Sequence, residues 1–378
     1  MLLNIRKEVN KKKVLSVVGA RPNFMKIAPI YRAFQKYSDT VDFLICHTGQ
    51  HYDSKMSDAF FNDLELPYPN YFLNVGSASH AVQTAKIMTG FEEILNELKP
   101  DLVLVVGDVN STLAATLTAK KMNIPVAHIE GGLRSFDRGM PEELNRIVTD
   151  SICDYCFITE EDAIFNLAKE NFPKENIFFV GNTMIDSLVF AKEKVQKSAI
   201  LEKLEIKKDE YALVTLHRPS NVDDRTQLEM LCKVIAYIAE KKKVVFPIHP
   251  RTLKNIENFG LSNYIQKNVV ITEPLGYIEF QKVMQNSSFV ITDSGGLQEE
   301  TTFLSISCIT LRTSTERPIT CSKGTNILID PNFDNIKIEL DKIFAGNTKK
   351  GTIPYLWDGK ASERISKIIT HQILKNEV

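Results

Sequence analysis

The sequence predicts an α/β protein of two doubly wound, Rossmann-like domains facing one another across a cleft. Three observations predict it. The chain has 378 residues, and at roughly 100 to 200 residues per domain that length favours two. Short β-branched runs alternate with helix-length stretches from Lys13 onward, the signature of a parallel sheet with crossover helices. The alternation then restarts after Gly181-Asn182.

The elements follow in order. KVLSVV, FLICH, LVLVVG, PVAHIE, DYCFIT and IFFV are the strands of a first domain spanning residues 1–181. A Lys-rich helical stretch, MIDSLVFAKEKVQKSAILEKLEI, leads into YALVTL, KVVFPI, NVVIT, SFVIT, ISCITL and NILI, the strands of a second domain over 182–356. There is no solenoid repeat and no low-complexity linker. Open α/β sheets bind ligands at the carboxyl ends of their strands, so the polar residues there are the candidates.

Composition narrows the function classes. Hydrophobic residues make up 43% and charged residues 25%, which excludes a disordered or fibrous chain. Lys and Arg (46) nearly cancel Asp and Glu (47), so no whole-molecule field gathers nucleic acid or anionic lipid. No segment reaches the ~20 apolar residues of a membrane span, and Met1–Lys13 lacks the apolar core of a secretory signal. Six cysteines are too dilute for a disulfide framework. A soluble cytoplasmic protein with reduced thiols is expected. Cys153 and Cys156 have a suggestive spacing, but no second pair completes a zinc site, and they read as strand-edge thiols.

Strand ends carry the candidate chemistry. Gly19-Ala20-Arg21-Pro22-Asn23-Phe24-Met25-Lys26 is neither a dinucleotide fingerprint nor a P-loop; it offers a turn into a helix start, with Arg21 and Lys26 as cations for an anion. Asp293-Ser294-Gly295-Gly296 precedes a helix, where paired glycines let backbone approach a diphosphate and Glu299 or Glu300 can accept ribose hydroxyls; an Asp/Ser helix cap explains part of the pattern too. Asp108, Glu130 and Glu142 are acids at first-domain strand ends or a helix start, suited to divide into a base and a proton donor. Glu142 also has a structural explanation, as a first-turn acid spaced i,i+4 from Arg146. His217 and His249 end second-domain strands beside arginines, as phosphate ligands or general acids. His47, His51 and His80 fall in loops or turns, and of these His51 is the binding candidate; His371 reads as surface.

In order along the chain stand GARPNFMKIAP, TGQHYD, GDVNSTLAA, HIEGGLRS, MPEELNR, VGNTMIDS, VTLHRPSNVD, IHPR, DSGGLQEE and RTSTERP. With these motifs the chain resembles the non-hydrolysing UDP-N-acetylglucosamine 2-epimerases over nearly its whole length. The resemblance implies a GT-B type, glycosyltransferase-like fold whose last helix, within 357–378, packs back on the first domain. It implies an isomerase interconverting UDP-GlcNAc and UDP-ManNAc by elimination of UDP to 2-acetamidoglucal and re-addition, serving cell-surface polysaccharide biosynthesis as a cytoplasmic homodimer. No cofactor and no metal is implied.

By the same resemblance Asp108, Glu130 and Glu142 are the catalytic carboxylates, with Arg146 and His217 beside the substrate. Arg21, Lys26, Ser294, Gly295, Gly296, Glu300 and Arg317 match positions that hold the UDP moiety, and His51 and His249, from their place in the chain, join them as binding candidates. Two departures stand out. Ile319 and Thr320 follow Pro318 where many members carry an acid, and Asp53 replaces a glutamine used by members regulated through a second UDP-GlcNAc, so allosteric activation is expected to be weak or absent. Four alternatives stay open: a 2-epimerase of another UDP sugar such as a 2,3-diacetamido-glucuronate, a hydrolysing 2-epimerase, a glycosyltransferase of the same fold, and a sugar-nucleotide sensor without turnover.

Overall fold

The computed structural model describes residues 11–49, 63–265 and 268–375. They fall into two compact units, Met1–Ser187 with Leu356–Val378, and Leu188–Tyr355.

The first unit is built on a seven-stranded parallel sheet. Its strands are β1 (Lys12–Val18), β2 (Val41–His47), β3 (Tyr71–Phe72), β4 (Leu102–Val106), β5 (Val126–Ile129), β6 (Tyr155–Ile158) and β7 (Ile177–Phe179). The order is β3-β2-β1-β4-β5-β6-β7. All five residues of β4 are buried, as expected of a central parallel strand covered by helices on both faces. The two-residue β3 has no counterpart among the expected strands, because so short a run carries no periodicity. Six of the seven were legible as apolar runs.

The second unit repeats the plan with β8 (Tyr211–Thr215), β9 (Lys243–Pro247), β10 (Val269–Thr272), β11 (Phe289–Thr292), β12 (Cys308–Leu311) and β13 (Asn326–Ile329), ordered β10-β9-β8-β11-β12-β13. Each sheet reverses its winding beside its first strand: β1 pairs with β4 (Val14↔Leu102) and β8 with β11 (Phe289↔Ala212). At such a switch point the loops diverge to opposite faces and leave a crevice for a ligand. The residues following β1, β4, β8 and β11 are therefore positioned by topology alone.

The chain returns to the first unit at Leu356. Trp357 is buried and its indole Nε1 donates to Thr159 O at 3.0 Å. Asp186 accepts the N–H groups of Ala361 (3.1 Å) and Ser362 (2.7 Å), satisfying the start of helix Ala361–Ile368. The opening for this segment is made by Gly181, at φ +90°. A side-chain carbon there would lie 2.1 Å from the Leu356 carbonyl oxygen, so only glycine fits.

Candidate active site

At the first switch point four charged side chains converge. Helix Arg21–Phe34 starts directly after β1 and carries Lys26, whose Nζ pairs with Glu130 Oε2 at 2.5 Å; both side chains are buried. Glu130 follows β5 in a left-handed conformation, φ +70°. Such strain in a bulky residue persists where the surroundings fix it, and it clusters at functional sites. Gly107, at the end of β4, supplies the space: a side-chain carbon there would meet Lys26 Nζ at 3.4 Å, Asn23 Nδ2 at 3.6 Å and Glu130 Oε2 at 3.8 Å. Asp108, next along, pairs with Arg146 Nη1.

Arg146 rises from helix Pro141–Ile152, and its partners correct the expected i,i+4 pair with Glu142. Its Nε and Nη2 instead donate to Glu143 Oε2 at 2.9 and 2.6 Å, one residue closer on the helix. Glu143 also accepts the Ser135 N–H (3.0 Å), the Ser135 hydroxyl (3.1 Å) and the Phe136 N–H (2.8 Å). Burial works against its charge, yet the Ser135 N–H and the Arg146 guanidinium prevail and hold it below the usual carboxylate range. Glu142, thus released from Arg146, is half-buried and lines a pocket of about 310 Å³ with Asp108, Asn110, Asn145, Ser77, His80 and Gln83. Asn145 Nδ2 donates to Asp108 O at 2.8 Å and ties that pocket to the acid.

Beneath the site, His128 of β5 is fully buried, with Nδ1 2.6 Å from Asp150 Oδ1 and Nε2 2.8 Å from Gly107 O. Arg134 adds an ion pair to Asp150 at 2.7 Å. Burial opposes the charge on Asp150, but His128 and Arg134 outweigh it and lower its pKa. Cys153 and Cys156 sit beside this carboxylate with sulfurs 3.5 Å apart. They flank the start of β6, Cys153 two residues before it and Cys156 second in it. Asp150 and the two thiols form a buried trio of donor atoms within 4.8 Å, which sequence spacing had not shown. Asp150 already accepts from His128, Arg134 and Gly132 N–H, and burial pushes the Cys156 thiol well up, so the trio is poorly suited to a metal.

The second unit presents its own switch-point cluster. Asp293 does not cap the helix after β11; that position belongs to Ser294, whose side chain makes no cap bond to helix Gly295–Phe303. The amides at this helix start face an anion's natural position. Asp293 instead reaches back to β8, accepting the N–H groups of His217 and Arg218 at 2.9 Å each. Arg317 follows β12 and pairs with Glu299 Oε1 (2.8 Å) and with Glu316. A side-chain carbon on Gly295 would come within 2.6 Å of Glu316 Oε1, which places the Ser294-Gly295-Gly296 turn against Arg317. Glu300 is buried and takes a bond from Gln281 Nε2 at 2.6 Å; burial and the Glu299 charge push it up to about 8. His249 is exposed and caps helix Pro250–Asn258 through Nδ1.

The structure thus brings Lys26, Asp108, Glu130, Glu142 and Arg146 together in the first unit. It gathers His217, Ser294, Gly295, Gly296 and Arg317 near β8, β11 and β12 in the second. Glu300 and Glu299 are tied to protein groups rather than standing open to a ribose. Arg21 begins its helix directly after β1; His51 and Asp53 lie outside the described residues. His47, expected in a loop, ends β2 with its ring stacked on Phe24 and Phe72. Sequence reasoning missed Glu143, Asp293 and the Lys26–Glu130 pairing. The i,i+3 spacing of Glu143 to Arg146 was a usable signal, whereas Lys26 and Glu130 are 104 residues apart and left none.

A family model described as UDP-N-acetylglucosamine 2-epimerase matches residues 33–370. Among curated relatives, UDP-N-acetylglucosamine 2-epimerase of Methanocaldococcus jannaschii is 42% identical over 367 residues, covering 95% of this chain and 99% of that one. UDP-2,3-diacetamido-2,3-dideoxy-D-glucuronate 2-epimerase of Pseudomonas aeruginosa is 38% identical, covering 94% of this chain and 99% of that one. A crystal structure of the M. jannaschii UDP-GlcNAc 2-epimerase in complex with UDP-GlcNAc and UDP superposes with a TM-score of 0.87, covering 95% of this chain and 99% of the other at 41% identity.

Proposed function

Because the chain belongs to the UDP-N-acetylglucosamine 2-epimerase family, we propose that it interconverts UDP-GlcNAc and UDP-ManNAc by eliminating UDP and adding it back. The single observation that supports this most is the pairing of Glu130 with buried Lys26 and of Asp108 with buried Arg146 at one switch point, with Glu142 lining the same pocket as Asp108.

The chemistry explains the need. The C2 hydrogen of an N-acetylhexosamine is not beside a carbonyl, so its direct removal is slow. In the proposed step a carboxylate takes the C2 proton while the C1–O bond to UDP breaks, and its electron pair leaves with UDP. The products are 2-acetamidoglucal and UDP. Re-addition reverses this with protonation of the opposite face of C2, so electrons balance without any redox partner. Glu130, paired with Lys26, and Asp108, paired with Arg146, are assigned to proton transfer with Glu142 of the pocket wall. The helix start at Ser294-Gly295-Gly296, His217, His249 and Arg317 are assigned to the diphosphate, with Arg21 and His51 as further UDP-sugar contacts.

The test is proton NMR of UDP-GlcNAc with the purified protein in D2O. Appearance of UDP-ManNAc with deuterium at C2, undiminished by EDTA, is expected; release of free N-acetylmannosamine would instead identify hydrolysis. The P. aeruginosa relative supports a second reading, epimerisation of a UDP-2,3-diacetamido-glucuronate, which an unchanged UDP-GlcNAc spectrum beside turnover of that uronate would establish. The reading includes a cytoplasmic homodimer, for which light scattering is the check.

A further inference from the structure

Asp293 has a role that the assignment above leaves open. Its side chain is fully buried. Oδ2 is saturated, accepting from His217 N, Arg218 N and, at 3.2 Å, Asn221 Nδ2. Oδ1 lies 2.8 Å from His217 Nδ1 in an ion-pair contact that falls short of hydrogen-bond alignment, and it has no hydrogen-bond partner among the described residues. Burial works against the charge, but His217 and the backbone N–H groups outweigh it, so Asp293 is held below the usual carboxylate range.

An ionised carboxylate offers lone pairs and no proton. A ring nitrogen 2.8 Å from a buried carboxylate oxygen must therefore carry N–H, because two lone pairs pressed together away from water would repel. The neutral His217 ring then has its proton on Nδ1, and Nε2 is bare. The ring is 48% exposed, so that bare nitrogen is open to a ligand.

Phosphate oxygens are acceptors as well. A bare Nε2 repels them, whereas a ring with a second proton donates to them and brings a full positive charge. Arg218 adjoins His217 in the chain, and the two rings of His217 and His249 repel one another when charged. Arg251 is partly neutralised by its ion pair with Asp223. Asp293 is the negative charge in this group, and an arriving diphosphate adds more beside the same ring.

We propose that Asp293 is a positioning residue that fixes His217 with a bare Nε2, so that binding of a nucleoside diphosphate carries one proton from solvent onto that ring. This rests on the reading of the second unit as the UDP site. The proton returns to solvent when the nucleotide leaves. While UDP is separated from the sugar, the imidazolium stands against the diphosphate as a donor whose direction Asp293 sets.

Two measurements test this on the full-length protein at about pH 8, above the ordinary imidazole pKa of about 6.5. The first is nitrogen-15 NMR of histidine-labelled protein, with the His217 signal identified by its loss in His217→Gln. The expected pattern is a protonated Nδ1 and a bare Nε2, reversed in Asp293→Asn; a protonated Nε2 in the unaltered protein overturns the proposal. The second is calorimetry of UDP binding in buffers of differing ionisation enthalpy. Uptake approaching one proton is expected, lost in His217→Gln and kept in a variant of the exposed His371, His371→Gln. UDP binding without uptake, or uptake that survives His217→Gln, overturns it. Absence of UDP binding would sink the nucleotide reading itself and, with it, the proton uptake, while the NMR pattern still decides the role of Asp293. Should Asp293→Asn not fold, His217→Gln leaves the buried carboxylate intact and keeps both measurements decisive.

Discussion

Glu143 does not line the pocket that Glu142 walls, yet the geometry of Asp108 depends on it. Its carboxylate accepts from Arg146, Ser135 and Phe136, and Arg146 in turn holds Asp108. Removing one partner of a buried, hydrogen-bonded ion pair costs about 3–5 kcal/mol, so Glu143→Ala should lower stability by that order, as read from urea unfolding. The direct acids behave differently. Single amide replacements of Asp108, Glu130 and Glu142 should each lower turnover by at least ~100-fold, the lower end for a lost acid or base, with UDP affinity changed much less; near-normal rates in all three would remove them from the mechanism. Glu300 sets a pH dependence. Its pKa is raised from 4.5 to about 8 in the folded protein, so folding retains a proton that the unfolded chain releases. The contribution is complete below 4.5, declines as pH rises, and is exhausted above about 8. Glu300→Gln should flatten that decline, and urea midpoints compared at the two ends of the window are the check. Residues like these divide by legibility. Asp108 and Glu130 were readable because each follows an apolar strand within two residues, whereas Glu143 and Asp293 hid beside more conspicuous neighbours, where two adjacent acids or an Asp-Ser pair permit two local explanations.

The elements themselves were legible wherever a buried parallel strand produced a continuous apolar run. β4 and β11 show this, since both faces of each are covered. β3 was not, because two residues on an edge strand leave no pattern to read. Apolar runs locate a strand but do not order it within a sheet, so the interior place of β6 was not legible either. At the crossing of Gly181 with Leu356 the constraint is geometric, a left-handed backbone with a carbonyl 2.1 Å from where a side chain would begin. Gly181→Ala must bend one of the two segments. The strained backbone alone costs on the order of 1–3 kcal/mol, and a fall in thermal midpoint of the unliganded protein is expected, whereas an unchanged midpoint would show that the segments yield freely.

On the scale of the whole molecule, two units with separate cores can lose structure separately. Trp357 belongs to the first unit although it lies beyond the second in the chain. Trp357→Ala should therefore accelerate amide hydrogen exchange in the strands of residues 12–179 and leave β8–β13 near their original protection; equal acceleration in both would show that they unfold as one. The same interrupted connectivity bears on how the protein is born. A ribosome delivers the seven-strand sheet first, then all of residues 188–355, and only afterwards the segment that seals Gly181 and covers Thr159. At about 5–20 residues per second, the sheet waits for on the order of ten to thirty seconds without its closing piece. The unit synthesised second can therefore be finished first, and the nascent chain carries an incomplete apolar surface throughout that delay, which makes it a natural client for chaperones that bind during translation.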